Sequence, residues 1–362
     1  MSGTDLKAFL AARGAVSVAD YMAWCLTGRE DGYYRQGEPI GRTGDFVTAP
    51  EVSQIFGELI GLWMGAVWLS MGQPKPFTLA ELGPGRGTLM SDALRALRVV
   101  PGFAEAARLH LVERSATLRE AQAAALAAFT PVWHERIEDL PDGPLILVAN
   151  EFLDALPVEQ FVYTGQGWRS RVVKPGVDGV PAFAAGDRAV PPDTDALPPP
   201  RPGDILESRR VAALPLLRDL GRRAQNHPLA ALVVDYGYER DTYGDTFQAV
   251  RAHGYDHPLA NPGAADLSAH VNFAELARMA SASGLSAWGP LPQGEFLLAL
   301  GLEARLQKLM SSARPEQAAG LILGARRLTD PYQMGGLFKA MALTGPGLPV
   351  PPPFTQTTRR DA

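Results

Sequence analysis

Apolar residues recur at helical spacing over residues 4–28, at Leu6, Phe9 and Leu10 and again at Val18, Tyr21 and Met22, which predicts a helix. Residues 31–50 break that rhythm. Gly, Pro and Asp dominate there, and the stretch reads as a long ordered loop, either a surface excursion or a lid over a site. A second helix is expected from Glu51 through Ile55, Phe56, Leu59, Ile60 and Trp63 to Trp68. Pro50 then sits at its first turn, where the missing N–H has no helical partner to lose. From residue 77 the pattern alternates. Apolar runs at Phe77–Leu82, 109–112, 144–149 and 231–234, with a short one near 132–137, read as strands, and the alanine-rich stretch 115–129 as a helix. Such alternation predicts an α/β fold, a doubly wound parallel sheet with helices on both faces.

Three stretches depart from the alternation. Residues 160–163 and 168–173 flank Gly165-Gln166-Gly167 and predict an inserted hairpin, and 191–202 is a proline-rich connector. Residues 338–343 form an expected last strand, and 346–362 a loose tail. The resulting division is an N-terminal helical and loop segment 1–75, a core 76–345 with insertions near 159–228 and 290–335, and the tail.

The centre of the chain is the run from Phe77 to Met90, a strand ending in an acid, three glycines and a helix-like stretch. Glycines let backbone approach a ligand where a Cβ would collide. A dinucleotide loop wants Gly-x-Gly-x-x-Gly. Here Gly83, Gly85 and Gly87 bring the third glycine one residue early, Pro84 lies inside the turn, and Glu81 stands just before it. A carboxylate repels a phosphate and attracts a cation. S-adenosylmethionine carries an ammonium and a sulfonium and no phosphate, so the loop reads as a methyl-donor site. A tight strand-to-helix turn with no ligand would look similar, and the other strand ends decide.

Four of those ends carry an acid: Glu81, Glu113, Glu151 and Asp235. Ligands of such sheets bind outside the carboxyl ends of the strands. Glu113 follows Gly87 by 26 residues (113 − 87) and is suited to accept both ribose hydroxyls, or else to pair with Arg114 or Arg119. Asn150-Glu151-Phe152-Leu153-Asp154 ends the next strand. If the nucleophile is a guanidinium nitrogen, carboxylates are needed to orient its planar fork and to take a proton. Glu151 and Asp154 share a face if a helical turn starts there; alternatively Asp154 caps the turn and Glu151 meets only cofactor. The segment 266–273 enters a helix, with Asp266 and Ser268 either as caps or facing substrate together with His270.

Composition narrows the class. The chain has 362 residues, 46% hydrophobic and 20% charged, enough for a large core and too ordinary for general disorder. A formal net charge of −5 argues against nucleic acid as a partner. The single cysteine, Cys25, permits no internal disulfide and no multi-cysteine zinc cluster. His253 and His257 lie in a Gly- and Pro-bearing loop, so no metal is expected. The longest apolar stretch, 59–69, is too short to span a bilayer, and the start Met-Ser-Gly-Thr-Asp has no apolar leader region. A cytoplasmic protein is expected, with a homodimer if an apolar face is exposed.

The chain resembles the MidA-like family of S-adenosylmethionine-dependent methyltransferases, which includes a mitochondrial complex I assembly factor acting on arginine. The resemblance rests on Gly32-Tyr33-Tyr34, the run from Gly44 to Glu58, Glu81 to Thr88, Ala149 to Pro157, Asp235-Tyr236-Gly237 and the 266–273 segment. Met334-Gly335 and Phe338-Lys339 also fit. It implies a class I methyltransferase (Rossmann-like) fold with helical additions. It also implies that 45–54 lies over the cofactor, which would bring Thr48, Ser53 and Gln54 to it. With Glu81, Gly83, Pro84, Gly85, Gly87, Glu113 and Asn150 these make the expected cofactor set, and Glu151, Asp154 and His270 the expected catalytic one. Two positions depart from the family: Arg209 where a proline is expected, and His257 where an acid is. The expected activity is methyl transfer to a protein side chain, arginine of a complex I subunit. The rivals are an assembly factor that keeps the fold with little catalysis, and an NAD-dependent dehydrogenase, disfavoured by the glycine spacing.

Overall fold

A computed structural model describes residues 3–28, 48–192, 197–251, 254–356 and 359–360. The lid-or-excursion question for 31–50 therefore falls outside the described residues except at 48–50, and so does His253. The chain divides into two compact units.

The larger unit holds the sheet: β1 (Phe77–Leu82), β2 (Ala107–Val112), β3 (Val132–His134), β4 (Leu145–Asn150), β5 (Leu229–Tyr238), β6 (Ser286–Pro292) and β7 (Phe338–Thr344). Their order is β6-β7-β5-β4-β1-β2-β3. The first five strands pair in parallel. β7 runs antiparallel to both β5 and β6, the one departure from the expected parallel sheet among these strands. The order reverses between β1 and β4, and every residue of these two strands is buried. Strands covered on both faces have no solvent side, hence their unbroken apolar runs. The helices around the site are α1 (Ala49–Val52), α2 (Gln54–Ser70), α3 (Thr88–Ala96) and α4 (Ala116–Ala125); α5 (Leu302–Met310) follows later. Phe56, Leu59 and Trp63 of α2 share one core cluster with Leu79, Ile146 and Val148 of the sheet.

Several expectations need correction. The helix expected from Glu51 starts at Ala49 and is interrupted at Ser53, whose extended backbone (φ −160°) ends α1 and whose hydroxyl caps α2 by accepting the Ile55 N–H. The stretch from Pro346 is not loose throughout. Phe354 is buried in the core beside Phe296, and Arg359–Arg360 pairs with β6.

The smaller unit comes from the described residues of Met1–Pro39, from Asp154–Pro215 and from Tyr238–Leu276. The single helix expected over 4–28 is two, Gly3–Arg13 and Val18–Leu26. Gly14 (φ 75°) breaks the first, Val16 and Ser17 add a short strand against Trp168–Pro175, and Ser17 caps the second. The predicted hairpin is present as Glu159–Tyr163 and Trp168–Pro175, inside a five-stranded sheet with Pro181–Arg188 and Ile205–Ser208. Asp266 and Ser268 do not cap a helix. They lie in the strand Asp266–Ser268, paired with Gln248–Arg251, and Asn272 caps the following helix through the Glu275 N–H.

Candidate active site

β1 delivers the chain from the interior to its glycine turn. Gly83, Gly85 and Gly87 have φ of 59°, 54° and 82°, the left-handed region in which a side chain is strained. A Cβ on Gly83 would also stand 3.0 Å from the Phe152 ring. The turn is closed by the Gly87 N–H donating to the Pro84 carbonyl at 2.8 Å, and α3 starts directly after it. Gly83, Pro84, Gly85 and Arg86 form one wall of a cleft; Thr48, Pro50 and Glu51 form another, and Glu81, Asn150 and Glu151 complete it.

Two acceptors in that cleft are buried without a partner among the described residues. Glu81 is 3% exposed, and its Oε2 accepts no hydrogen bond among the described residues. Burial alone pushes its pKa up to about 8. Asn150, at the end of the adjacent strand β4, leaves its Oδ1 in the same state. A buried polar group left unpaired costs about 1–3 kcal/mol, so two side by side mark a place where a donor belongs. An ammonium has three donors and a charge that the carboxylate would meet.

Glu113 follows β2 and is built differently. Its Oε1 accepts the N–H groups of Arg114 (2.8 Å) and Ser115 (2.7 Å), and its Oε2 accepts Gln122 Nε2 at 3.3 Å. Burial raises its pKa, and these donors pull it back part of the way. Carboxylate oxygens take about two bonds each, so with Oε1 filled the pair keeps about one acceptor position, on Oε2, for a hydroxyl. Arg119 does not pair with this carboxylate; it donates to the Glu113 carbonyl.

At the end of β4 the backbone turns sharply. Glu151 has φ 50°, not helical, so it and Asp154 do not share a helical face as the sequence suggested. Asp235 Oδ2 fixes the turn by accepting the Phe152 and Leu153 N–H groups at 3.2 and 2.9 Å. Glu151 Oε1 accepts the Ala49 N–H at 2.9 Å and the Asn150 amide at 3.2 Å, which ties the cleft wall at 48–50 to the strand end. On that wall Glu51 accepts the Thr88 hydroxyl. Ser53 is taken up in capping α2 and Gln54 reaches Glu58 at 3.4 Å; neither lines the cleft.

Residues 59–291 match the family model "Putative S-adenosyl-L-methionine-dependent methyltransferase". The chain belongs to this methyltransferase family. It is 36% identical to the mitochondrial protein arginine methyltransferase NDUFAF7 homolog of Drosophila melanogaster, over 94% of this chain and 84% of that protein. It is likewise 36% identical to the mitochondrial human protein arginine methyltransferase NDUFAF7, over 91% of this chain and 80% of that protein. A Burkholderia thailandensis crystal structure bound to S-adenosyl-homocysteine superposes with a TM-score of 0.80 at 25% identity, covering 94% of this chain and 91% of that one. The doubly wound sheet is thus the class I methyltransferase fold, and the cofactor of the family is S-adenosylmethionine. These relatives overturn the expected cytoplasmic location, since they are mitochondrial proteins. A single cysteine and the lack of a long apolar stretch suit any reducing compartment and do not select one.

Two of the methyltransferase's expected catalytic residues, Asp154 and His270, belong to the smaller unit. Asp154 is 7% exposed, and its carbonyl accepts Arg209 Nη2 at 3.1 Å. Arg209 also donates to the carbonyls of Ala269 and His270. The residue that departs from the family pattern thus straps three backbone carbonyls together. The His270 N–H donates to Thr246 Oγ1 at 2.9 Å, and burial and then Arg209 lower the imidazole pKa. Sequence reasoning missed Gln122. Its only signal was a polar residue one turn after Leu118 on the buried face of an alanine-rich helix.

Proposed function

We propose that this methyltransferase modifies an arginine side chain of a protein. The observation that carries the cofactor assignment is the pair of buried acceptors, Glu81 Oε2 and Asn150 Oδ1, that have no partner among the described residues and stand beside a turn of three left-handed glycines. In this reading Glu81 and Asn150 receive the ammonium of the methionine end. Gly83 and Gly85 give backbone approach, Glu113 takes a ribose hydroxyl at Oε2, and Thr48 and Pro50 close the side. Bound S-adenosylmethionine supplies a methyl group on a sulfonium, whose transfer frees a proton from the accepting nitrogen. Glu151 is a positioning residue, because its Oε1 is committed to holding Ala49 and Asn150.

His270 is the base for the released proton and Asp154 orients the guanidinium. Support for the first is chemical: burial and Arg209 keep the imidazole neutral near pH 7. Arginine as the acceptor rests on the names of the relatives, and a complex I subunit as the substrate on the family resemblance. Large apolar side chains exposed at Ile322 (44%) and Leu323 (67%) favour a homodimer, which light scattering would report as twice the chain mass.

Calorimetric titration with S-adenosylmethionine and, separately, NAD tests the cofactor. Binding of the methyl donor alone is expected, and binding of NAD alone would overturn the reading. Mass spectrometry of candidate protein substrates after incubation then reads the acceptor. Methyl groups on lysine or on a terminus, with none on arginine, would reject the arginine assignment. His270→Gln and Asp154→Asn should lower kcat about a hundredfold with cofactor affinity unchanged.

A further inference from the structure

We infer that Gln122 is the residue that sets the ribose specificity of the cofactor site, by holding Glu113 and the glycine turn in one register. This rests on the assignment of Glu113 to the ribose. Gln122 is fully buried in α4, yet all of its amide is used. Nε2 donates to the Gly85 carbonyl at 2.8 Å and to Glu113 Oε2 at 3.3 Å, and Oε1 accepts Trp133 Nε1 at 2.8 Å. The orientation of the amide follows from its partners. A carbonyl and a carboxylate only accept and an indole N–H only donates, so the NH2 group must face the turn and the acid.

No other side chain supplies that combination. Glu has no donor at neutral pH and would set a second charge against Glu113. Leu leaves the Trp133 N–H and the Gly85 carbonyl unpaired, and Asn is one methylene short. Gly87 packs against the same helix: an added Cβ there would meet Gln122 Cα at 3.5 Å, an ordinary contact, and Leu126 Cδ1 at a tighter 3.3 Å. Gln122 thus links β3, through Trp133, to the carbonyl of the central glycine and to the acid at the end of β2. A Glu113 carboxylate held at Oε1 by the backbone and at Oε2 by Gln122 presents its remaining acceptor position in one direction. Without Gln122 the Arg114 and Ser115 N–H groups would still hold Oε1, but Oε2 would lose its one fixed donor among the described residues and could rotate about that anchor.

The test uses the 362-residue chain titrated with S-adenosylhomocysteine and with its 2′-deoxy analogue. A site built to bond a hydroxyl rejects the analogue that lacks it, here by about tenfold or more. In Gln122→Leu that ratio should fall to about twofold, as it should in the control Glu113→Gln. A wild-type ratio in Gln122→Leu, with the ratio lost in Glu113→Gln, would overturn the role of Gln122 and leave the ribose assignment standing. A wild-type ratio in both variants would remove the ribose assignment itself. If Gln122→Leu does not fold, Trp133→Phe takes away the donor that orients the amide. Its ratio should fall about threefold, and an unchanged ratio there would also overturn the inference.

Discussion

Glu58 and Glu81 are both buried acids of the larger unit, 2% and 3% exposed, and their surroundings are opposite. Around Glu58, in α2, Arg305 of α5 donates to both oxygens at 2.7 Å and Arg95 adds a third bond at 3.0 Å. Burial pushes the Glu58 pKa up, but the two guanidinium groups more than offset it and the carboxyl ends below its usual range. For Glu81 no charged partner among the described residues offsets its burial, which raises the carboxyl pKa to about 8. One carboxylate is completed by the fold and ties helices together. The other has no partner at Oε2 among the described residues. Burial alone does not separate a structural acid from a binding one; the presence or absence of a partner does.

That contrast can be broken by experiment. The largest effect is expected from Gly85→Val, where a branched side chain at φ 54° would occupy the space of the ligand. Calorimetry should then detect no S-adenosylhomocysteine binding, a loss of about a hundredfold or more, while the circular dichroism spectrum stays native. Unchanged affinity would remove the turn from the site.

A crossed pair of variants comes next. Glu81→Gln should weaken binding by about 10- to 100-fold, the worth of a charge-assisted hydrogen bond, with little change in denaturant midpoint. Glu58→Gln should do the reverse. Its cost is about 2 kcal/mol of stability, reduced from the usual penalty for a broken buried pair because Arg305 and Arg95 are 28% and 44% exposed. Cofactor affinity should change by less than about twofold. If both variants lose stability and neither loses affinity, the two acids are equivalent and the contrast fails.

The smallest effect is a proton. With a folded pKa of about 8 against an ordinary value of 4.5, Glu81 is protonated at neutral pH in the free protein. A raised carboxyl pKa adds stability that is complete below 4.5 and is lost as pH climbs through 8. An ammonium in the cleft favours the carboxylate, so affinity should rise between about pH 6 and 8, and close to one proton should be released on binding at pH 7. Titrations in buffers of different ionisation heat measure that number, and proton uptake would contradict the assignment.

Local features of this molecule were legible in its sequence. β1 lies where its apolar run predicted and β4 is shifted by a single residue. Glu113 and Glu151 directly follow their strands and Glu81 is the last but one of β1, whereas Asp235, expected at a strand end, lies buried inside β5 because that strand runs on to Tyr238. Backbone state was less legible. Nothing in the letters shows that Glu151 takes a left-handed conformation, because the Asp235 contact that fixes the turn comes from far along the chain. Ser53 interrupts a continuous apolar stripe for the same reason that it caps, since a hydroxyl competes for backbone N–H groups. Gln122 was hidden because its three partners come from three different elements.

The Asp235 contact also orders events in time. The acceptor that shapes the turn after β4 is made 82 residues after Leu153. At about 5–20 residues per second, a ribosome that has finished every cleft-lining residue from Thr48 to Glu151 runs on for roughly 4–16 s before it adds the carboxylate that shapes them. A message cut short in that interval encodes all the cleft-lining residues and lacks the part that sets the turn.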